Sequence, residues 1–273
     1  MTTEQRRVVL ITGASSGFGE QTARLLSADG KYKVYGTSRK PAQSSDRKTT
    51  YTMLTLDVDS DSSTKDCVSF LLEKEKRIDV LINCAGSAMT GGAEETSIEE
   101  IKSHFETNFF GTVRMVDQVL PSMRRQKNGR IVNLGSIASE FPVPFEGFYA
   151  AGKAALYAYT EALRHEVRQF QIKVSIIQPG FFRTNLGNSR TKSRHAIDDY
   201  REARERAVHK LEEYFQQGGD PLVVAKTIKK VIESDSPNLR YLVGSEKRYV
   251  TLKKILPSSM LENQLRKRWR LDG

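Results

Sequence analysis

The chain has 273 residues, 38% of them hydrophobic, and a formal net charge of +10. That length suits one α/β domain with a large core, and no apolar run approaches the roughly 18 residues that a membrane span needs. The two cysteines, Cys67 and Cys84, are too few for a disulfide framework and do not cluster with histidines, so no metal site is expected. Residues 1–7 are polar, with neither a signal-peptide apolar region nor an obvious transit signal, and a cytoplasmic location is the expectation. Positive charge gathers between Arg190 and Arg206, interleaved with acids, and again over about 246–273, where Lys247, Arg248, Lys253, Lys254, Arg266, Lys267, Arg268 and Arg270 lie. No nucleic-acid motif accompanies it, so the expectation is a solvated helical surface favouring an anionic cofactor, with no nucleic-acid partner.

In chain order, residues 8–12, 33–37, 52–56, 78–83, 130–134, 173–177 and 240–243 read as seven strands. Several are unbroken in Val, Ile and Leu, as in a parallel sheet covered on both faces. Helices fit between them. Ser97 with Glu100 forms a capping box, Asp220-Pro221 opens a later helix, and 149–170 has a helical apolar pattern without proline. Strand-helix alternation predicts one doubly wound, Rossmann-type α/β domain spanning 1–273, with a mainly parallel seven-stranded sheet. Residues 183–219 interrupt the alternation and read as an insertion above the sheet.

The first strand runs into Thr12-Gly13-Ala14-Ser15-Ser16-Gly17-Phe18-Gly19 and then a helix. The glycines let the backbone turn tightly and approach a pyrophosphate, while the helix N-terminus offers free N–H groups. This spacing resembles the T-G-x-x-x-G-x-G of the short-chain dehydrogenase/reductase family. The resemblance extends along the chain. Asn83-Cys84-Ala85-Gly86 stands where the family has N-N-A-G, with Cys84 as a departure. Asp57-Val58 is similar to its adenine-contacting pair. Pro179-Gly180 with Thr184 is similar to its P-G-x-x-x-T segment beside the nicotinamide. At the end of the second strand, Ser38 stands where an acid would hold a ribose 2′-hydroxyl, and Arg39 and Lys40 follow. The missing acid and the guanidinium predict NADP(H) over NAD(H).

Tyr149 and Lys153 lie four apart at a helix start and share a face, with Ser136 thirteen residues upstream. The resemblance places the family's catalytic Ser, Tyr and Lys on these positions and its fourth member on Asn108; Ser139 is the alternative to Ser136. Protonating an alkoxide near neutrality calls for a tyrosine whose pKa of about 10 is lowered by some 3 units, roughly 4 kcal/mol. One cation about 4 Å away supplies an effect of that order at an effective dielectric of 20. Lys153 is thus expected to lower Tyr149, and an oxidised nicotinamide to add to it. By resemblance Lys153 also binds the nicotinamide ribose, and Ser136 holds the substrate oxygen. Asn108 holds a relay water, or simply bonds backbone at a helix kink.

Phe141, Pro142, Pro144, Phe145, Phe148, Met89, Phe181 and Phe182 are expected around an apolar pocket for a small lipophilic carbonyl or alcohol. The pattern resembles the branch containing 17β-hydroxysteroid and retinol dehydrogenases. The expected activity is an NADP(H)-dependent oxidoreductase; the alternative is a catalytically silent NADP(H)-binding sensor on the same fold. Residues 183–219, with Gly187 and Gly218-Gly219 as possible hinges and apolar residues at helical spacing from Ile197, are expected to form a mobile lid, the alternative being a rigid surface helix or a subunit contact. The resemblance also implies a homodimer or homotetramer packed through the helices around 106–125 and 149–170.

Overall fold

Runs of buried Val, Ile and Leu become strands hydrogen-bonded on both edges. The computed structural model describes residues 6–41, 50–185, 190–253, 255–269 and 271. In chain order the elements are β1 (Arg7–Thr12), α1 (Gly17–Ser27), β2 (Tyr32–Ser38), β3 (Thr52–Thr55), α2 (Asp61–Glu75), β4 (Val80–Asn83) and β5 (Met89–Thr90). There follow α3 (Ile98–Phe105), α4 (Gly111–Gln126), β6 (Gly129–Leu134), α5 (Gly147–Glu166), β7 (Ile172–Pro179) and β8 (Thr191–Lys192). The chain closes with α6 (Arg201–Gln216), α7 (Leu222–Glu233), β9 (Arg240–Val243), α8 (Lys247–Lys253) and α9 (Ser258–Arg268). The seven expected strands all form, in the order β3-β2-β1-β4-β6-β7-β9, and every pairing is parallel. β5 and β8 make a separate two-residue parallel ribbon that joins the insertion to the loop after β4.

The strand period of two divides the core. Leu10, Leu81, Ile131 and Val174 point to one face, against Leu71, Met115, Val119 and Leu163 of α2, α4 and α5. Val9, Ile11, Ile82 and Ile177 point to the other, against Leu26 of α1 and Val224, Ile228 and Ile232 of α7. Each such side chain contributes about 1.5–3 kcal/mol on burial, which fixes the register of the sheet and hence of the loops above it. The chain winds outward from β1 to β3 and then restarts at β4 on the other side of β1. The crevice at the carboxyl ends of β1 and β4 is therefore the site of this architecture.

Local signals act where expected, with shifted bounds. Ser97 and Glu100 cap α3 reciprocally. Asp220 accepts the Leu222 N–H, so α7 begins just after Pro221. The long helical stretch of 149–170 begins two residues earlier, at Gly147, and ends at Glu166, with a separate 3-10 turn over Arg168–Phe170.

Among the described residues of the insertion, α6 packs on an aromatic cluster. From α6, Tyr214 stacks on Phe181 at 5.0 Å, and Phe215 meets the same ring edge-on at 5.3 Å. The C-terminal stretch, expected as solvated surface, completes this cluster. Trp269 is 1% exposed and packs on Tyr214 at 5.6 Å. The Arg268 guanidinium lies over the rings of Tyr214 and Tyr249. Gly218 and Gly219 are held, Gly219 donating to the Phe181 carbonyl and accepting from the Arg183 N–H, both at 3.0 Å. A Cβ on Gly218 would come within 2.8 Å of the Phe182 backbone, so close approach is what requires glycine there. Leu186, Gly187, Lys254 and Arg270 lie outside the described residues.

Trp269→Ala is expected to weaken C-terminal docking by about 3–5 kcal/mol, the scale for emptying a buried Trp site. Limited proteolysis reads this directly: the variant is cut before α9 while the parent resists, and equal resistance would contradict the packing.

Candidate active site

The carboxyl ends of β1 and β4 open onto a cavity of about 820 Å³. The Thr12 hydroxyl accepts the backbone N–H groups of Cys84 and Ala85, both at 3.0 Å, which ties together the loops after the two strands. Gly13 holds φ +66°, and a Cβ there would sit 2.8 Å from the Ala85 Cα. A Cβ on Gly19 would collide with the Gly13 carbonyl. Only glycines allow this approach, and Ser16 leaves the start of α1 without a side-chain cap. Ser15, Ser16, Gly17 and Phe18 complete this cavity wall. Bare N–H groups at the end of an eleven-residue helix suit a pyrophosphate.

Farther along, Ser38 and Arg39 line the cavity after β2, and Asp57 and Val58 line it after β3. The Ser38 hydroxyl is buried without a hydrogen-bond partner. Ala85, Gly86, Pro179, Gly180 and Thr184 line the opposite side. An orphaned hydroxyl and a glycine cradle in one elongated cavity fit a dinucleotide. Asn83 departs from the expected cofactor contacts. Its amide donates to Asn133 Oδ1 at 2.9 Å, and Asn133 donates in turn to the Thr160 hydroxyl at 3.0 Å. This buried chain points across the sheet from β4 to α5, and Asn83 is not on the cavity wall.

Ser136, Tyr149 and Lys153 line this cavity, and Asn108 is on its wall as well. Each is less than a tenth exposed. Ser136 follows β6, where its hydroxyl accepts the Ala138 N–H at 3.1 Å, and it acts to lower the Tyr149 phenol. Ser139 is engaged elsewhere, donating to the Ser136 carbonyl at 2.7 Å and accepting from Gln178 at 2.6 Å. The Lys153 ammonium donates to the Leu134 carbonyl at 3.0 Å and lies 5.9 Å from the Tyr149 ring centre. Asn108 sits in a π-helical turn over Glu106–Phe110, donating to the His104 carbonyl at 3.0 Å and accepting from the Ser87 N–H at 3.3 Å. A Cβ on Gly86 would meet Asn108 Oδ1 at 2.9 Å and Lys153 Nζ at 3.7 Å, so this glycine is what brings Asn108 and Lys153 to a common edge.

The electrostatics differ from the simple expectation that Lys153 lowers Tyr149. Burial dominates both groups: the phenol is pushed up to about 12, with Ser136 opposing, and the ammonium down to about 8. Lys153 at its present distance does not overcome the desolvation of Tyr149.

Residues 7–195 match the family described as short chain dehydrogenase. The chain belongs to the short-chain dehydrogenase/reductase family. It is 38% identical to a 3-ketodihydrosphingosine reductase of Bacteroides thetaiotaomicron, across 96% of this chain and 97% of the relative. It is 34% identical to retinol dehydrogenase 8 of Bos taurus, across 93% and 87%. A crystal structure of a short-chain dehydrogenase from Streptomyces avermitilis superimposes with a TM-score of 0.83 at 31% identity, covering 96% of each chain. A closed serine dehydrogenase complexed with NADP+ gives 0.74 at 26% identity, covering 86% of this chain and 94% of its own. The family assignment, the retinol-dehydrogenase-like kinship and oxidoreductase chemistry follow.

Within this dehydrogenase site, motif spacing missed three features. His104, one turn before Asn108, lines the cavity with its Nδ1 3.3 Å from the Asn108 amide nitrogen and 3.5 Å from the Ser87 hydroxyl. Glu146 is a buried carboxylate on the wall. Trp269 and Arg268 come from the far end of the chain. Of the expected apolar lining, Met89, Phe141, Phe181 and Phe182 are on the wall. Pro142, Pro144, Phe145 and Phe148 are not, because that loop turns away at Phe145, which holds φ +60° and bonds the Gly91 N–H through its carbonyl. Val143, Phe215 and Tyr249 line the cavity in addition.

Burial holds the His104 imidazole down to about 4, and Lys153 adds to the effect. Its unfolded value is about 6.5, so the unfolded chain takes up the proton first. Stability from this group is present above about pH 6.5 and is lost as pH falls toward 4, by up to about 3 kcal/mol. Chemical denaturation of the parent and His104→Gln across that window isolates it: the variant loses less stability on acidification, and parallel curves would contradict the burial.

Proposed function

We propose that this family member is an NADPH-dependent reductase of lipophilic carbonyl compounds with Tyr149 as proton donor. The observation that carries the reading is the meeting of Ser136, Tyr149 and Lys153 in a cavity continuous with the glycine cradle. The orphaned Ser38 hydroxyl beside Arg39, with no acid at the end of β2, supports NADP(H) over NAD(H). The Gly13–Gly19 turn would hold the pyrophosphate, Ser38 and Arg39 the 2′-phosphate, Asp57 and Val58 the adenine, and Lys153 with Pro179, Gly180 and Thr184 the nicotinamide half. When bound, the cofactor supplies hydride to the carbonyl carbon and, once oxidised, a positive charge beside the phenol.

The chain's part is the proton. As the carbon–hydrogen bond forms, the carbonyl π pair moves onto oxygen, and Tyr149 passes its proton to that oxygen. A phenol held near 12 is fully protonated at neutrality, which suits reduction, and an alkoxide is a stronger base still. Ser136 hydrogen-bonds the developing oxyanion. Lys153 stabilises the phenolate left behind, and Asn108 with His104 lines the route by which Tyr149 regains a proton. Phe141, Phe181, Phe215 and Trp269 provide the apolar wall for the substrate body. Helix α6 and the segment around Trp269 are read as its cover. A homodimer or homotetramer packed through α4 and α5 accompanies this reading, supported by Phe110, which is exposed beside the ring contact between Phe109 of the π-turn and Tyr159 of α5.

Tyr149→Phe is expected to lower turnover of a reactive ketone by 10² or more while NADPH binding persists. Near-normal turnover would remove Tyr149 from the chemistry. Separately, Ser38→Asp with Arg39→Ala is expected to shift preference at least tenfold toward NADH, read from kcat/KM for each cofactor. A parent protein that uses both equally would contradict the role given to Arg39.

A further inference from the structure

Proton transfer by Tyr149 and Lys153 has no use for Glu146. It ends the loop before α5, three residues ahead of Tyr149, and its carboxylate is 5% exposed on the cavity wall. Its charge opposes ionisation of Tyr149. Its support is thin. Arg190 Nη1 stands 3.1 Å from Oε1, and the pair lacks hydrogen-bond geometry. Oε1 and two of the guanidinium nitrogens, Nε and Nη2, are buried without partners. Burial accordingly pushes the carboxyl up to about 7, with Arg190 opposing. A half-satisfied buried acid is costly, and a ligand group that completes its bonding would relieve that cost.

The wall decides the sign of that group. The Arg190 guanidinium lies over the Phe215 ring at 5.1 Å and is not on the cavity wall, whereas Glu146 is. The cavity is thus offered a carboxylate, which takes a cationic hydrogen-bond donor. Less than one helical turn separates Glu146 from Tyr149, so the donor belongs on a carbon close to the one being reduced.

We propose that Glu146 is a specificity-determining residue that binds an ammonium group on the carbon next to the reacting carbonyl, making a long-chain α-amino ketone the preferred substrate class. This rests on the reductase reading above. The aromatic wall of Phe181, Phe215 and Trp269 then takes the hydrocarbon chain. The compound in the name of one relative, 3-ketodihydrosphingosine, has this chemistry: a long-chain ketone with an amino group on the neighbouring carbon.

The test compares kcat/KM, with NADPH and the full-length protein, for a long-chain 2-amino-3-ketone, its N-acetyl derivative and the 3-ketone of equal length without the amine. The parent is expected to prefer the free amine at least tenfold over both others, and Glu146→Gln to lower that preference at least tenfold. Glu146→Gln combined with Arg190→Met removes both buried charges. It is expected to show the same lost preference, which separates recognition from a misfolded single variant. An equal loss for all three ketones in both variants would make Glu146 structural and overturn the assignment. So would a preference that survives in either variant, no preference in the parent, or a parent preference for ketones with an anionic head. If none of the ketones drives NADPH oxidation by the parent, the reductase reading itself fails, an outcome distinct from equal turnover of all three.

Discussion

Lys153 places an ammonium where little solvates it. Among the described residues the Leu134 carbonyl at 3.0 Å is its hydrogen-bond acceptor, and only 6% of the residue is exposed. A cation in such a place is expensive, and burial accordingly draws it down to about 8. The surrounding structure can be understood as what makes the position hold. The register of β4 and β6 sets the Leu134 carbonyl, and α5 carries Lys153 to it. Gly86 lets Asn108 approach from the π-turn. The sheet register and the seat of α5 are fixed by core packing of α4 and α5 against the sheet. A loss of register there would be felt first at the ammonium.

The same desolvation acts on the buried ionisable groups around it, in the direction the charge of each dictates. Tyr149 and Glu146 go up, while Lys153 and His104 go down. All four therefore lean toward their neutral forms. A pocket of that kind amplifies any charge that enters it, because screening is weak. The aromatic roof of Phe181, Tyr214, Phe215 and Trp269 sustains the low polarity. Arg268 adds charge at its rim over the Tyr214 and Tyr249 rings, where a guanidinium can stack and remain hydrated.

The seven strands and the cofactor turn were legible because each rests on a local rule. Continuous Val, Ile and Leu mark strands buried on both faces, and glycine spacing marks a backbone that must come close to something. Ser136, Tyr149 and Lys153 were singled out by the family resemblance, and one strand end and one helix face bring them to a common cavity. What the sequence hid is long-range or a matter of degree. Trp269 lies at the end of a basic stretch that reads as solvent-facing, and its burial depends on meeting Tyr214 from a separate helix. Asn83 sits in a motif associated with the cofactor, yet its amide is aimed along the sheet at Asn133. The balance between burial and the nearby cation at Tyr149 depends on a distance no pattern encodes. Glu146 and Arg190, 44 residues apart by their numbering, form a pair only in the folded chain.

In the proposed reaction a deeply buried phenol exchanges its proton because positive charge is brought beside it. Ultraviolet difference titration of tyrosinate, with Tyr149→Phe subtracted to isolate one residue, tests this most directly. Tyr149 is expected to ionise near 12 in the protein alone and several pH units lower once saturated with NADP+, because the added charge meets little screening. An unchanged titration in the saturated protein would contradict it.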